Sequence, residues 1–372
     1  MKHLHNTTII RQTLTKQKYD SKVMLTSKKL DSYIEGTTIA PLFFQGDALT
    51  ILKNFPSESI DCCITSPPYW GKRQYRTDGI GMEKDYNNYI DSLCTIFREL
   101  LRILKVTGSF WLNIGDSYYK KNLLGIPWRI ALELTDRQGW ILRNEVVWNK
   151  IKGGPDNALD KLGNVHEKVF HFVKSVTGYY YDVDSIRANP QKTKIVNGSV
   201  ISATGVHGVR YKRQIELSTA LNEMEKQIAQ NALNEILNQV RGGKLADFRM
   251  VIRGQQRTTH SDSTKVSGRA KELQNKGFYF LKYHPNGSKP RDVWDILPED
   301  TQNREFHYAP FPEDLCKMPI IATCPIDGIV LDPFSGTGTA MLVAKNLGRK
   351  SIGIDLCAEY IDMASKRCAT LF

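Results

Sequence analysis

A short apolar run that stops in two prolines does most to narrow the fold. Ile60-Asp61-Cys62-Cys63-Ile64 ends in Thr65-Ser66-Pro67-Pro68-Tyr69-Trp70. The run reads as a buried strand, with both cysteines as small core residues. Adjacent prolines fix the backbone and remove two donors, which leaves carbonyls free to accept. Open α/β sheets place their ligands outside the carboxyl ends of the strands. A rigid acceptor loop beside the flat faces of Tyr69 and Trp70 suits a planar group that carries an NH2. Taken alone, the stretch also reads as an ordinary strand-ending turn.

A second strand and turn lies far along the chain, in Ile329-Val330-Leu331-Asp332-Pro333-Phe334-Ser335-Gly336-Thr337-Gly338-Thr339. Gly336 and Gly338 let the backbone turn tightly and approach a ligand, ahead of a helix that starts near Thr339. Asp355 closes a further strand about twenty residues later, where a carboxylate can accept from both ribose hydroxyls. The stretch lacks the Lys of a phosphate-binding loop and the full G-x-G-x-x-G of dinucleotide sites. It therefore argues against ATP or NAD and for an adenosine-containing cofactor of another kind.

Together the two stretches resemble the DNA amino-methyltransferases of bacterial restriction-modification systems. The order, catalytic loop first and cofactor loop last, is similar to their permuted β group. The resemblance covers roughly residues 41–182 and 306–368. It implies a Rossmann-like α/β sheet, circularly permuted, with an inserted target-recognition domain. On that plan 1–35 is a basic extension, 36–188 the catalytic half, 189–304 the insert and 305–372 the cofactor half. The implied cofactor is S-adenosylmethionine, which has no phosphate. Its implied contacts are Asp47, Phe311, Asp332, Pro333, Phe334, Ser335, Gly336, Thr337, Gly338 and Asp355. The implied partners are double-stranded DNA and, functionally, a cognate restriction endonuclease.

The implied chemistry centres on Ser66, Pro67, Pro68 and Tyr69. An exocyclic base nitrogen is a poor nucleophile because its lone pair is spread into the ring. The Ser66 hydroxyl and the Pro67 carbonyl can hold its two N–H groups and aim the lone pair at a sulfonium methyl. Tyr69 then stacks on a base flipped out of the duplex. No Pro-Cys loop sits at the strand end, which disfavours ring-carbon methylation. Relatives with Ser before Pro-Pro-Tyr mostly methylate cytosine N4, and those with Asp or Asn there mostly adenine N6. Ser66 points to cytosine N4, with adenine N6 as the alternative. A silent nucleic-acid-binding protein on the same scaffold is the reading from another class. The intact Ser66, Gly336 and Asp355 weigh against it.

The rest of the chain fits around these sites. A net charge of +12 favours a polyanion partner. Seven cysteines without zinc spacing fit a reducing cytoplasm and no metal site. No apolar run is long enough to span a membrane, and no signal peptide is visible. A strand over 41–45 leads to Asp47, which either meets a purine amino group or caps the next helix. Residues 71–85 read as a polar loop. A helix over 86–104 precedes a strand over 108–116, whose carboxyl end carries Asn113 and Asp116. Asp116 either assists the site or serves as a cap. Strands over 140–148 and 165–174 form an antiparallel edge hairpin. In the insert strand patterns fade. One helix is expected through Leu217, Leu221, Met224, Ile228, Ala232, Ile236 and Val240. Arg249, Arg253 and Arg257, among Gln255, Gln256, Thr258 and His260, are the candidate DNA contacts.

Overall fold

The computed structural model describes residues 27–72, 79–153, 157–188, 193–196, 199–201, 208–254, 268–299 and 312–369. It divides into two units, Met1–Ser185 with Arg291–Phe372, and Ile186–Pro290. Phe311 and Arg257, with Gln255, Gln256, Thr258 and His260, lie outside the described residues, as do 73–78 of the polar loop.

The first unit is built on one eight-stranded sheet. Its strands are β1 (Leu42–Gln45), β2 (Ile60–Thr65), β3 (Leu104–Ile114), β4 (Ile141–Asn149), β5 (His166–Val173), β6 (Val293–Asp295), β7 (Ile329–Asp332) and β8 (Lys350–Asp355). They lie in the order β1-β8-β7-β2-β3-β5-β4-β6. Every pairing from β1 to β3 is parallel, while β5 runs antiparallel to both β3 and β4. The permutation is visible at one edge. Among the described residues the first strand pairs with the last, Gln45 opposite Asp355.

A parallel strand covered on both faces needs apolar residues on both, and β2 is buried throughout. Cys63 points into a core with the helix Tyr86–Ile103, and Cys62 and Ile64 into the opposite core with helices Glu313–Thr323 and Thr339–Asn346. The helix Tyr86–Ile103 buries Tyr89, Leu93, Ile96, Phe97 and Leu100 along one stripe, and the Asp85 side chain caps its start. Ahead of β1 a helix over 27–35 packs Leu30 and Tyr33 into the first core. The Tyr33 hydroxyl donates toward the carbonyls of Ala40 and Ser351. Among the described residues no helix is long and apolar enough to cross a membrane.

Several elements differ from the sequence expectation. β3 begins at Leu104, not 108, because Leu104 pairs with Ile60 before a bulge restores register at Ser109 opposite Cys62. The polar Lys105-Val106-Thr107 stretch at that bulge hides the strand from periodicity. The main sheet resumes with β6 paired to β4, and the first unit returns at Arg291.

The second unit differs too. The helix expected through Leu217 to Val240 begins only at Glu223, as Glu223–Arg241, and a separate helix, Gly208–Glu216, precedes it. The break comes where Asn222 and Glu225 form a reciprocal capping box. Leu217, Met224 and Ile228 are exposed, so part of the apolar spacing there does not mark a core face. An antiparallel pair, Asp247–Ile252 with Phe278–Tyr283, also goes unforeseen. It packs Phe248, Met250 and Phe278 against Leu233, Ile236 and Leu237 of the longer helix, giving the unit its own core.

Candidate active site

The two motifs meet because β2 and β7 are neighbours in the sheet. Thr65 and Asp332 end these strands, and the Thr65 hydroxyl donates to Asp332 Oδ1 at 2.5 Å. The same oxygen accepts from the Phe334 N–H at 3.0 Å. Asp332 is fully buried, and its Oδ2 has no described partner. Burial pushes the Asp332 carboxyl up to about 7, against the pull of the Thr65 and Phe334 hydrogen bonds.

The glycine loop follows. Gly336 and Gly338 both take left-handed conformations, φ 49° and 77°, which a side chain would strain. Gly338 caps the helix Thr339–Asn346. Asp355, at the end of β8, accepts from the Gly336 N–H at 2.9 Å through Oδ2 and from the Cys357 N–H at 2.8 Å through Oδ1. Burial raises its pKa, and these backbone donors pull it back. Ser335 is buried beside them with an unpartnered Oγ, while Pro333 is buried and Phe334 and Thr337 are half-buried on the same loop. The Gly46 N–H donates to the Asp355 carbonyl at 2.9 Å, which brings Asp47 to the same rim. Asp47 Oδ1 caps the next helix, accepting from the N–H and hydroxyl of Thr50 at 2.8 and 2.7 Å. Of its two readings, the cap is thus realised.

The Ser66 loop sits at the adjacent strand end. Ser66 Oγ lies 3.2 Å from the Tyr69 hydroxyl, which donates to Glu167 Oε2 at 2.7 Å. Asn113 Nδ2 lies 3.1 Å from Ser66 Oγ, 2.7 Å from Tyr69 Oη and 2.9 Å from Glu167 Oε2. Lys150 closes an ion pair on the other oxygen of Glu167. Burial, with the Glu167 carboxylate beside it, holds the Tyr69 hydroxyl well above the usual phenol range. Gly115 is needed here, since a Cβ would come within 2.7 Å of the Tyr69 ring. The Pro68 carbonyl is taken by the Tyr89 hydroxyl at 2.9 Å, whereas the Pro67 carbonyl meets no described donor. Trp70 is not a free plate. Its Nε1 donates to the Glu83 carbonyl, and its ring meets Tyr86 and Tyr119 edge to face. Asp116 is a cap, accepting from the N–H groups of Ser117, Gly125 and Ile126.

Glu167 and Lys150 carry no motif in the sequence. The available signal is a carboxylate at the entry of a strand, ahead of the largely apolar run Val169-Phe170-His171-Phe172-Val173.

The candidate DNA contacts separate. Arg249 is exposed on its strand. Arg253 is consumed internally: its guanidinium donates to the carbonyls of Ala220 and Gln274 and to both oxygens of Glu225. The expectation that Arg253 meets phosphate therefore gives way to a structural clamp. Arg249→Ala is expected to flatten the salt dependence of DNA binding by about one unit of slope. Arg253→Ala is expected to leave the slope alone and lower the melting temperature. Fluorescence anisotropy across a salt series, with thermal melts, checks both.

Comparison with known proteins gives this geometry a family. The chain matches the DNA methylase family model over residues 60–366. It is 31% identical to the type II methyltransferase M.SfiI of Streptomyces fimbriatus, over 86% of this chain and 88% of that one. It is 28% identical to the type II methyltransferase M.Cfr9I of Citrobacter freundii, over 87% and 86%. Among solved structures, PvuII DNA methyltransferase (cytosine-N4-specific) shares the fold with a TM-score of 0.53 at 18% identity, covering 90% of this chain and 88% of that one. The chain belongs to the DNA methylase family, among the type II DNA amino-methyltransferases.

Proposed function

We propose that this protein methylates the exocyclic N4 of cytosine in duplex DNA, with S-adenosylmethionine as methyl donor. The observation that carries the reading is the Ser66 hydroxyl, held by Asn113 beside the glycine loop and still able to accept. When bound, the donor supplies a methyl group on a positively charged sulfur. The residues at the ends of β7 and β8 fit such a group. Ser335 Oγ and Asp332 Oδ2 are buried without partners, and buried polar atoms rarely stay so unless a ligand or water pairs them. The Asp355 carboxylate takes backbone donors from Gly336, Leu356 and Cys357 and keeps acceptor capacity for a ribose hydroxyl. Phe311 and Asp47 Oδ2 complete the proposed adenosine contacts.

Ser66 and the Pro67 carbonyl hold the two amino hydrogens, and Tyr69 packs against the flipped base. The second unit, with Arg249, reads the target, and a cognate endonuclease makes the methylation protective in the cytoplasm. Nucleoside mass spectrometry of DNA from an expressing strain tests the reading. N4-methylcytosine is expected; N6-methyladenine instead would replace it with the alternative chemistry of the same family. Ser66→Ala is expected to slow single-turnover methylation about two- to tenfold, the worth of one neutral hydrogen bond. It leaves donor binding unchanged. A variant as fast as the parent would leave Pro67 and Tyr69 as the sufficient contacts.

A further inference from the structure

Methylation of an amino group has an unassigned product. The nitrogen begins as NH2 and ends as NH–CH3. The N–C bond forms, the S–C bond breaks with its electron pair staying on sulfur, and one N–H bond must break. The leaving proton needs an acceptor.

We propose that Glu167 takes that proton through Tyr69 and Ser66, an assignment that rests on the amino-methyltransferase reading above. The polarity of the hydrogen bonds fixes the direction. Tyr69 has one hydroxyl proton and spends it on Glu167 Oε2 at 2.7 Å. The 3.2 Å contact between Ser66 and Tyr69 must then run from the Ser66 hydroxyl to Tyr69 Oη. Ser66 Oγ is left with two lone pairs. Asn113 Nδ2 faces one at 3.1 Å, and the other remains for an N–H of the target. The row therefore reads amine, Ser66, Tyr69, Glu167, with every hydrogen pointing toward the carboxylate.

Transfer moves each proton by one oxygen. The amine proton passes to Ser66 Oγ, the Ser66 proton to Tyr69 Oη, and the Tyr69 proton to Glu167 Oε2. Neither a serine alkoxide nor a tyrosinate is left behind. The site begins with a carboxylate and ends with a carboxylic acid that later releases its proton to solvent. Lys150 is paired with Oε1, so Oε2 is the oxygen open to the relay. Asn113 Nδ2 lies within 3.1 Å of all three oxygens and keeps them in line. Four separate segments supply the row: the loop after β2, the end of β3, the residue after β4 and the start of β5. Glu167 touches the target only through Tyr69 and Ser66. It is a positioning residue that also stores the proton.

The bland role for Glu167 is to hold the Tyr69 ring in place, and a pH profile separates the two. Single-turnover methylation by the parent is expected to rise with pH along one ionisation, as the carboxylate forms. Glu167→Gln keeps size and a hydrogen bond to Tyr69 but cannot take a proton. It is expected to lose about a hundredfold in rate, a typical worth for a positioned base, and to lose that ionisation. Glu167→Asp is expected to restore the ionisation at reduced rate. Tyr69→Phe, which keeps the ring and cuts the row, is expected to flatten the profile as Glu167→Gln does. Two readouts do not depend on rate. Infrared difference spectra of the parent after one turnover are expected to gain a protonated carboxyl band that is missing in Glu167→Gln. Calorimetric binding of S-adenosylmethionine is expected to be the same in both. A Glu167→Gln variant within twofold of the parent with the same pH profile would overturn the relay, as would a parent without the carboxyl band. If the glutamine variant does not fold, the Tyr69→Phe profile and the parent's band decide alone. Recovery of N6-methyladenine would fail the cytosine assignment and leave the relay standing, since either amine sheds one proton.

Discussion

Replacing Asp355 by alanine is expected to weaken binding of S-adenosylmethionine about a hundredfold. Hydrogen bonds to a charged group are worth about 1.5–3 kcal/mol each, so losing two to a ribose costs about 3 kcal/mol or more. The same change strips acceptors from the N–H groups of Gly336 and Cys357, which the carboxylate now ties together. The glycine loop loses its fixed shape as well as its contact, and both losses act on the donor. DNA affinity is expected to stay near the parent's, because no candidate DNA contact lies on this loop. Isothermal calorimetry with S-adenosylmethionine, alongside DNA binding in its absence, checks the division. Asp355→Asn sharpens it, keeping one acceptor and much of the loop, and is expected to fall between alanine and parent. Unchanged donor affinity in the alanine variant would take Asp355 out of the site.

The sheet was legible because its strands are short apolar runs that end in polar turns, and burial on both faces demands that pattern. The alternation that sends Cys63 one way and Cys62 the other is the simplest case. Glycines and prolines marked both ligand loops, since only they permit those backbones. The wrong stretches fail for physical reasons too. A bulge let Lys105-Val106-Thr107 interrupt β3, and a capping box at Asn222 starts at Glu223 a helix that apolar spacing alone would carry back to Leu217. Arginine beside glutamine looked like a DNA reader, yet Arg253 is spent on Glu225 and two carbonyls. Composition cannot tell a guanidinium that faces solvent from one that faces its own chain. Glu167 was hidden for the converse reason. Its partners Tyr69, Asn113 and Lys150, with Ser66 behind Tyr69, come from three places in the sequence, and only strand order brings them together.

Asp332 links that strand order to pH. Its carboxyl is raised from 3.8 to about 7, chiefly because burial disfavours the charge, with the nearby Asp355 carboxylate adding to the rise. A carboxyl whose folded pKa is raised holds its proton longer in the native state than in the unfolded chain. Between about pH 4 and 7 the native state therefore binds more protons, and stability falls as pH rises. The contribution is complete below the unfolded value and lost once pH passes the folded value. Three pH units correspond to a change on the order of 4 kcal/mol at 1.36 kcal/mol per unit. Asp332→Asn removes the ionisation but keeps an Oδ1 to accept from Thr65 and Phe334. The variant is expected to match the parent near pH 4 and to exceed it increasingly up to pH 7. Beyond that the gap should stay level. The difference between the two proteins isolates Asp332, because Asp355 is also raised and titrates in both. Urea unfolding followed by near-ultraviolet circular dichroism at half-unit steps from pH 4 to 8 measures it. A gap that does not change with pH would mean that Asp332 is charged throughout, with Oδ2 solvated from the cofactor side of the sheet.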